Sequence, residues 1–219
     1  MPDGPVMLGY ISGGWGRMEW FNSMFNAVSG PYASRCVGGV MTVSAGPLVA
    51  LSRNLLAARF LDSPLEWLCT TDTDIVFNPD AVDRLFEVAD PEERPIVSGL
   101  YYVLKDSRLM PAAYVNMSEA PELDLRPLAE PDKVSGVIRV AAVGCGFMLI
   151  HRSVFEVMRK RISDGGQGNG WYRETVIDGE DIGEDISFCL RAMGMEIPVY
   201  LNADVRLGHV KSAMIGGPN

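Results

Sequence analysis

The sequence predicts one α/β domain, with a mixed, mostly parallel central sheet flanked by helices. Three observations carry this reading. Short apolar runs of strand length alternate with helix-length amphipathic segments along the chain. A length of 219 residues, 47% apolar and 21% charged, suits one domain with a sizeable core. The apolar run ending at Thr71 stops on Asp72-Thr73-Asp74 and is followed by a helix, as where an open α/β sheet presents a site at its carboxyl edge.

Pro5 to Ile11 is the first strand. Ser12-Gly13-Gly14 closes it, where glycine either lets the backbone approach a ligand or simply turns the chain. Met18, Phe21, Phe25 and Val28 have helical spacing, and Val37 to Val43 is a second strand. In the helix from Pro47 to Leu61, Leu48, Leu51, Leu55, Ala58 and Leu61 line one face. Arg53 and Asn54 fall off that stripe, which on spacing alone predicts a solvated Arg53.

After the acidic strand, Asn78 offers a cap and Pro79 a first position for a helix to about Val88. Pro95 to Tyr102 reads as a strand. Residues 116–135 carry Pro121, Pro127 and Pro131 among charges and read as a surface excursion. Val137 to Val143 and Phe147 to Ile150 are strands interrupted by Gly144-Cys145-Gly146, and Ser153 to Lys160 is a helix.

Residues 163–180 hold Gly165, Gly166, Gly168 and Gly170 and form either a linker or a lid over a site, with Trp171 and Tyr172 placed to pack on a ligand. Gly-Glu-Asp-Ile then occurs twice between Gly179 and Ile186. The second copy opens a helix from Ile186 to Met193, and carboxylates in a first turn favour the helix dipole whatever else they do. Ile197 to Leu201 is a strand, and Val205 to His209 ends the folded core.

Net charge is −9, which argues against holding nucleic acid by bulk electrostatics and fits recruitment of a divalent cation. Arg159-Lys160-Arg161 is a dense basic run, suited to phosphates or to a solvated helix end. Cys36, Cys69, Cys145 and Cys189 are scattered, with no C-x-x-C pair, and read as reduced thiols, three of them in apolar patterns that predict burial. The first residues lack a signal-peptide core, so the expectation is a cytoplasmic protein with no membrane segment. Asp72 and Asp74, spaced i, i+2, offer hard oxygens to one divalent ion and the phosphates of a nucleotide, or form a solvated turn.

Taken together, several segments resemble a GT-A fold glycosyltransferase of the family 2-like type, enzymes of nucleotide-sugars built on one Rossmann-like sheet. Asp72-Thr73-Asp74 resembles the DxD motif, and Ser52-Arg53-Asn54-Leu55-Leu56 resembles the helical Arg-Asn segment before it. Gly144 to Phe155 is similar to the Gly-x-Gly, apolar strand and Arg-x-x-Phe stretch. Gly183 to Gly194 is similar to the Glu-Asp helix, and His209 falls where many members place a third metal ligand.

The resemblance implies a single GT-A domain over 1–219 that transfers sugar from a UDP- or GDP-sugar to a hydroxyl, with inversion. It implies Mn²⁺ or Mg²⁺ held by Asp74 and His209, with Asp72 on the ribose or on the ion through water. It also implies donor contacts from Tyr10, Ser12, Arg53, Asp72, Thr73 and Gly146, and Asp185 as general base supported by Glu184. Small enzymes of this appearance occur among phage proteins that glycosylate modified DNA bases, so hydroxymethylated phage DNA is an acceptor to test, with the host cytoplasm as location; no protein partner is inferred. Two other readings stand beside this one. A nucleotidyltransferase acting on a sugar phosphate should show a Gly-rich signature with Arg and Lys near the N-terminus, which Ser12 to Arg17 imitates poorly. A non-catalytic nucleotide-sugar binding module would keep the fold without turnover.

Overall fold

The computed structural model describes residues 4–44, 46–105, 107–118, 123–164, 170–177 and 179–211. In chain order the first half holds β1 (Val6–Ile11), α1 (Met18–Val28), β2 (Val37–Val43), α2 (Val49–Leu61), β3 (Trp67–Thr71), β4 (Ile75–Val76), α3 (Ala81–Phe86) and β5 (Ile96–Leu100). Two short antiparallel pieces follow, β6 (Tyr102–Lys105) with β7 (Arg108–Pro111), and β8 (Ala113–Asn116) with β9 (Leu125–Pro127). The second half holds β10 (Val137–Val140), β11 (Ala142–Val143), β12 (Phe147–His151), α4 (Arg152–Asp164), β13 (Thr175–Ile177), β14 (Glu180–Ile182), α5 (Glu184–Met193), β15 (Val199–Arg206) and β16 (Gly208–His209).

Seven strands form the central sheet in the order β10-β15-β5-β12-β3-β1-β2. β1 runs parallel to β2 and β3, and β15 parallel to β5, while β12 and β10 run antiparallel to their neighbours. The mixed, mostly parallel sheet expected from the sequence is therefore present. Its centre is covered on both faces, so β3 and β5 are buried at every residue. Successive side chains go to opposite faces. Leu68, Met148 and Ile150 pack with α2, α4 and α5, whereas Trp67, Cys69, Phe147 and Leu149 pack with α1 and α3. The four cysteines are free and buried.

Several local expectations shift. The predicted strand from Val137 to Val143 is two strands in two sheets, split at Ala141. The excursion 116–135 contains β9 and a 3₁₀ turn at Pro131–Lys133, while 119–122 lie outside the described residues. Of the glycine-rich segment 163–180, positions 165–169 and 178 lie outside them too. Trp171 and Tyr172 are buried rather than facing a ligand: Trp171 Nε1 donates to the Phe155 carbonyl, and Tyr172 stacks on Phe188. The first Gly-Glu-Asp-Ile copy lies in the exposed β13–β14 hairpin, and only the second opens a helix.

The largest correction concerns which helix faces are buried. α2 buries Ser52, Arg53, Leu56, Ala57 and Phe60, and leaves Leu48, Leu51 and Leu55 exposed. α1 buries Trp20, Ser23, Met24 and Ala27, and exposes Met18, Phe21 and Phe25. In both helices the true core stripe lies about one residue from the predicted one. On α2 the buried face combines Leu56, Ala57 and Phe60 with Arg53, whose ion pairs lie inside the fold.

This assignment separates two leucines. Leu51→Glu is expected to change stability by no more than about 0.5 kcal/mol, whereas Leu56→Ala should cost about 2–5 kcal/mol in a urea titration. Comparable losses from both would return the core to the stripe read from spacing.

Candidate functional site

Four chain segments end at the same edge of the sheet. β1 and β3 run parallel, so Ser12 and Asp72 follow their carboxyl ends side by side. β12 runs the other way from Phe147 opposite Thr71, which brings Gly146 to that edge; the Asp72 amide donates to the Gly146 carbonyl at 3.0 Å. β15 leads back to it, and β16 pairs with β4 so that His209 lies opposite Ile75 and beside Asp74.

Arg53 holds the centre. It is 5% exposed, and its Nη2 donates to both carboxylate oxygens of Asp72 at 2.9 and 3.2 Å. Its Nε donates to Glu184 Oε1 at 3.1 Å, and Nη1 reaches the Cys145 carbonyl at 3.5 Å. Burial opposes its charge, and the carboxylates of Asp72 and Glu184 outweigh that and hold it firmly protonated. The next residue, Asn54, clamps the backbone of Tyr172 through both its amide atoms, at 2.8 and 2.9 Å. The Arg-Asn pair thus braces the Asp72 strand end, the α5 start and the chain leading into β13.

Asp74 belongs to a second cluster. His209 Nε2 lies 3.2 Å from Asp74 Oδ2, and Lys211 Nζ lies 2.8 Å from the same oxygen. Burial would raise the Asp74 pKa, but the hydrogen bonds and charges of His209 and Lys211 pull it down to about 2. His209 Nδ1 lies 2.8 Å from the Tyr102 carbonyl, which can only accept, so Nδ1 carries a proton and donates, and Nε2 is the ring nitrogen turned to Asp74.

A cavity of about 300 Å³ opens between these clusters, lined among others by Ser12, Trp15, Arg53, Asp72, Thr73 and Asp74. Its walls are tied together by the backbone: the Ser12 amide donates to the Val43 carbonyl and the Arg17 amide to the Thr73 carbonyl, each at 2.9 Å. Tyr10 lies behind this wall with its ring edge-on to Trp20, centroids 4.8 Å apart. Asp185 sits beside the Arg53 cluster, mostly buried, with its Oδ1 accepting from the Ile186 amide at 2.7 Å. Burial and the neighbouring Glu184 charge push its pKa up.

Tyr101 was not singled out from the sequence and is central here. Its ring is buried, its hydroxyl accepts from the Gly146 amide at 3.2 Å, and His209 packs on it edge-on at 5.5 Å. It also explains the Gly-x-Gly stretch. A Cβ at Gly144 would fall 2.0 Å from the Tyr101 oxygen, and one at Gly146 2.8 Å from its ring. The signal available in the sequence was position: Tyr101 follows a strand that ends at the same edge as β3.

No protein-family model matches the chain, and no curated protein matches it either. Among the solved structures similar in fold are the following two. A197 from STIV aligns with a TM-score of 0.54 at 17% identity, covering 100% of this chain and 98% of that one. GalNAc-T7, a GT-A glycosyltransferase solved with UDP, GalNAc and Mn²⁺, aligns with a TM-score of 0.57 at 11% identity, covering 94% of this chain and 44% of that one. The chain has a GT-A-like fold. It spans under half the length of the second neighbour, and at these identities the likeness concerns the fold alone. No helix among the described residues is long and apolar enough to cross a membrane.

Two outcomes test the geometry. Arg53→Leu leaves Asp72 and Glu184 without their counter-charge and should lower stability by about 3 kcal/mol, the low end for a broken buried pair because Asp72 keeps some solvent. Gly144→Ala should cost about 1–3 kcal/mol through overpacking. Part of that cost should return in a Tyr101→Phe background, where the nearest atom is gone; strictly additive losses in the double variant would contradict the contact.

Proposed function

We propose that this protein is a metal-dependent glycosyltransferase that moves a sugar from a nucleotide-diphosphate sugar to a hydroxyl acceptor with inversion. The observation that carries the reading is the Asp74–His209 pair at the mouth of the cavity, on a GT-A-like fold. The pair fits a divalent cation. Asp74 is ionised at neutral pH, and the Nδ1–H bond to the Tyr102 carbonyl orients His209 so that Nε2 is the nitrogen a cation entering beside Asp74 would meet. No group of three His, Cys, Asp or Glu side chains stands ready for a metal among the described residues. Two protein ligands suit Mn²⁺ or Mg²⁺ when the donor's phosphates and water complete the shell. The ion would stabilise charge on the diphosphate leaving group.

The remaining roles fall to the chain itself. Ser12 and Thr73 line the donor cavity, and Asp72, anchored on Arg53, faces the ribose. Gly146 fixes Asp72 from behind, Tyr10 backs the wall, and Arg53 acts on the donor through the carboxylates it positions. Asp185 takes the proton of the attacking hydroxyl as the new C1–O bond forms and the diphosphate leaves. A buried carboxylate with a raised pKa is a stronger base than an ordinary aspartate. One displacement with a dedicated base inverts the anomeric carbon.

The test is transfer from UDP- and GDP-sugars to a panel of hydroxyl acceptors, including saccharides and DNA with hydroxymethylated bases. Chelator should abolish donor turnover, and Mn²⁺ or Mg²⁺ should restore it. Full activity in excess chelator removes the metal from the account, and transfer of a nucleotidyl group to a sugar phosphate would establish the nucleotidyltransferase reading instead.

Asp185→Asn should retain donor binding and lose roughly 100-fold or more in transfer rate. Its stability should move the opposite way. Because the folded-state pKa is raised, the ionised carboxylate costs stability at neutral pH, and that cost vanishes below the ordinary aspartate value of about 3.9. Asp185→Asn is therefore expected to melt higher than wild type at pH 7, with the gap closing in acid. The wild-type kcat/KM should likewise fall with acid, at a higher pH than for an aspartate of ordinary pKa. A wild-type level of transfer by the variant would move the base elsewhere.

A further inference from the structure

The donor cavity is short of positive charge. Among the described residues lining it, Asp72 and Asp74 are carboxylates and Arg53 is the one cation, already engaged by Asp72 and Glu184. A nucleotide diphosphate needs cationic partners there. Lys211 is a cation that already reaches the Asp74 wall of this cavity. Its ammonium lies 2.8 Å from Asp74 Oδ2, its side chain is half exposed, and it follows the pinned His209 by two residues. His209 Nε2 converges on the same oxygen.

Resting on the metal-dependent reading above, we propose that Lys211 is a resident counter-ion of Asp74, which the divalent cation displaces and which then binds the diphosphate. An ion bonded to Asp74 Oδ2 and His209 Nε2 would compete with Lys211 Nζ for the Asp74 oxygen that the ammonium engages in the free protein. Metal entry therefore breaks one ion pair and frees an ammonium beside two carboxylates and an incoming anion. The lysine serves twice. It balances the Asp74 charge without metal, and it makes metal and diphosphate binding cooperative, since the metal takes Asp74 from the lysine and the diphosphate takes the lysine from Asp74.

The experiment is a Mn²⁺ titration of wild type, Lys211→Gln and Lys211→Arg, followed by the electron paramagnetic resonance signal of free Mn²⁺ with no nucleotide present. Lys211→Gln should bind Mn²⁺ about fivefold more tightly, as expected when a half-exposed ion-pair competitor is removed. Lys211→Arg should remain close to wild type. With Mn²⁺ saturating, the order should reverse for whichever of UDP and GDP binds wild type: Lys211→Gln should bind it about tenfold more weakly. Equal Mn²⁺ affinity in wild type and Lys211→Gln, or nucleotide affinity untouched by the change, overturns the role of Lys211 and leaves the metal reading standing. No Mn²⁺ binding by any of the three proteins, either without nucleotide or with UDP or GDP present, overturns both.

Discussion

The site depends on one buried guanidinium. Arg53 joins Asp72, at the end of a central strand, to Glu184, at the start of a helix 131 residues later in the chain. Without its charge both carboxylates would face each other across a largely dry interface, with the Asp185 carboxylate beside them. The same constraint sorts the acidic motif. Asp72 is turned inward to Arg53, and Asp74 meets His209 and Lys211. Two aspartates spaced i, i+2 thus have different partners: Asp72 pairs with Arg53, and Asp74 with His209 and Lys211.

The fold was largely legible in the sequence, and the reasons are physical. Central strands of a covered sheet are apolar on both sides, so β3, β5 and β12 stand out as continuous runs bounded by turn residues. Helix faces were less legible. Met18, Phe21 and Phe25 on α1, and Leu51 and Leu55 on α2, form good apolar stripes that face solvent. Periodicity reports that a stripe exists, not which way the helix is turned. On α2 the buried face includes an ion pair whose partners are remote in sequence, and spacing alone places Arg53 in water.

The site was legible as a set of positions and not as a set of contacts. Asp72, Asp74, Gly146, Glu184, Asp185 and His209 do converge on one sheet edge. The sequence carried no sign that Arg53 is consumed internally, that Tyr101 requires Gly144 and Gly146 to lack side chains, or that Lys211 shares the Asp74 oxygen with His209. The tandem Gly-Glu-Asp-Ile is a further case. Identical residues give an exposed strand in one copy and a helix start in the other, because only the second has a core of Phe188, Cys189 and Ala192 to follow it.

The claim that most needs a direct measurement is the division of labour between the two aspartates. A crystal structure of the protein soaked with Mn²⁺ and UDP or GDP, with the anomalous signal of manganese used to place the ion, addresses it in one step. The account predicts manganese bonded to an Asp74 oxygen and His209 Nε2, with Asp72 still paired to Arg53. Manganese bonded directly to Asp72, with the Arg53 guanidinium swung onto the diphosphate, would contradict it.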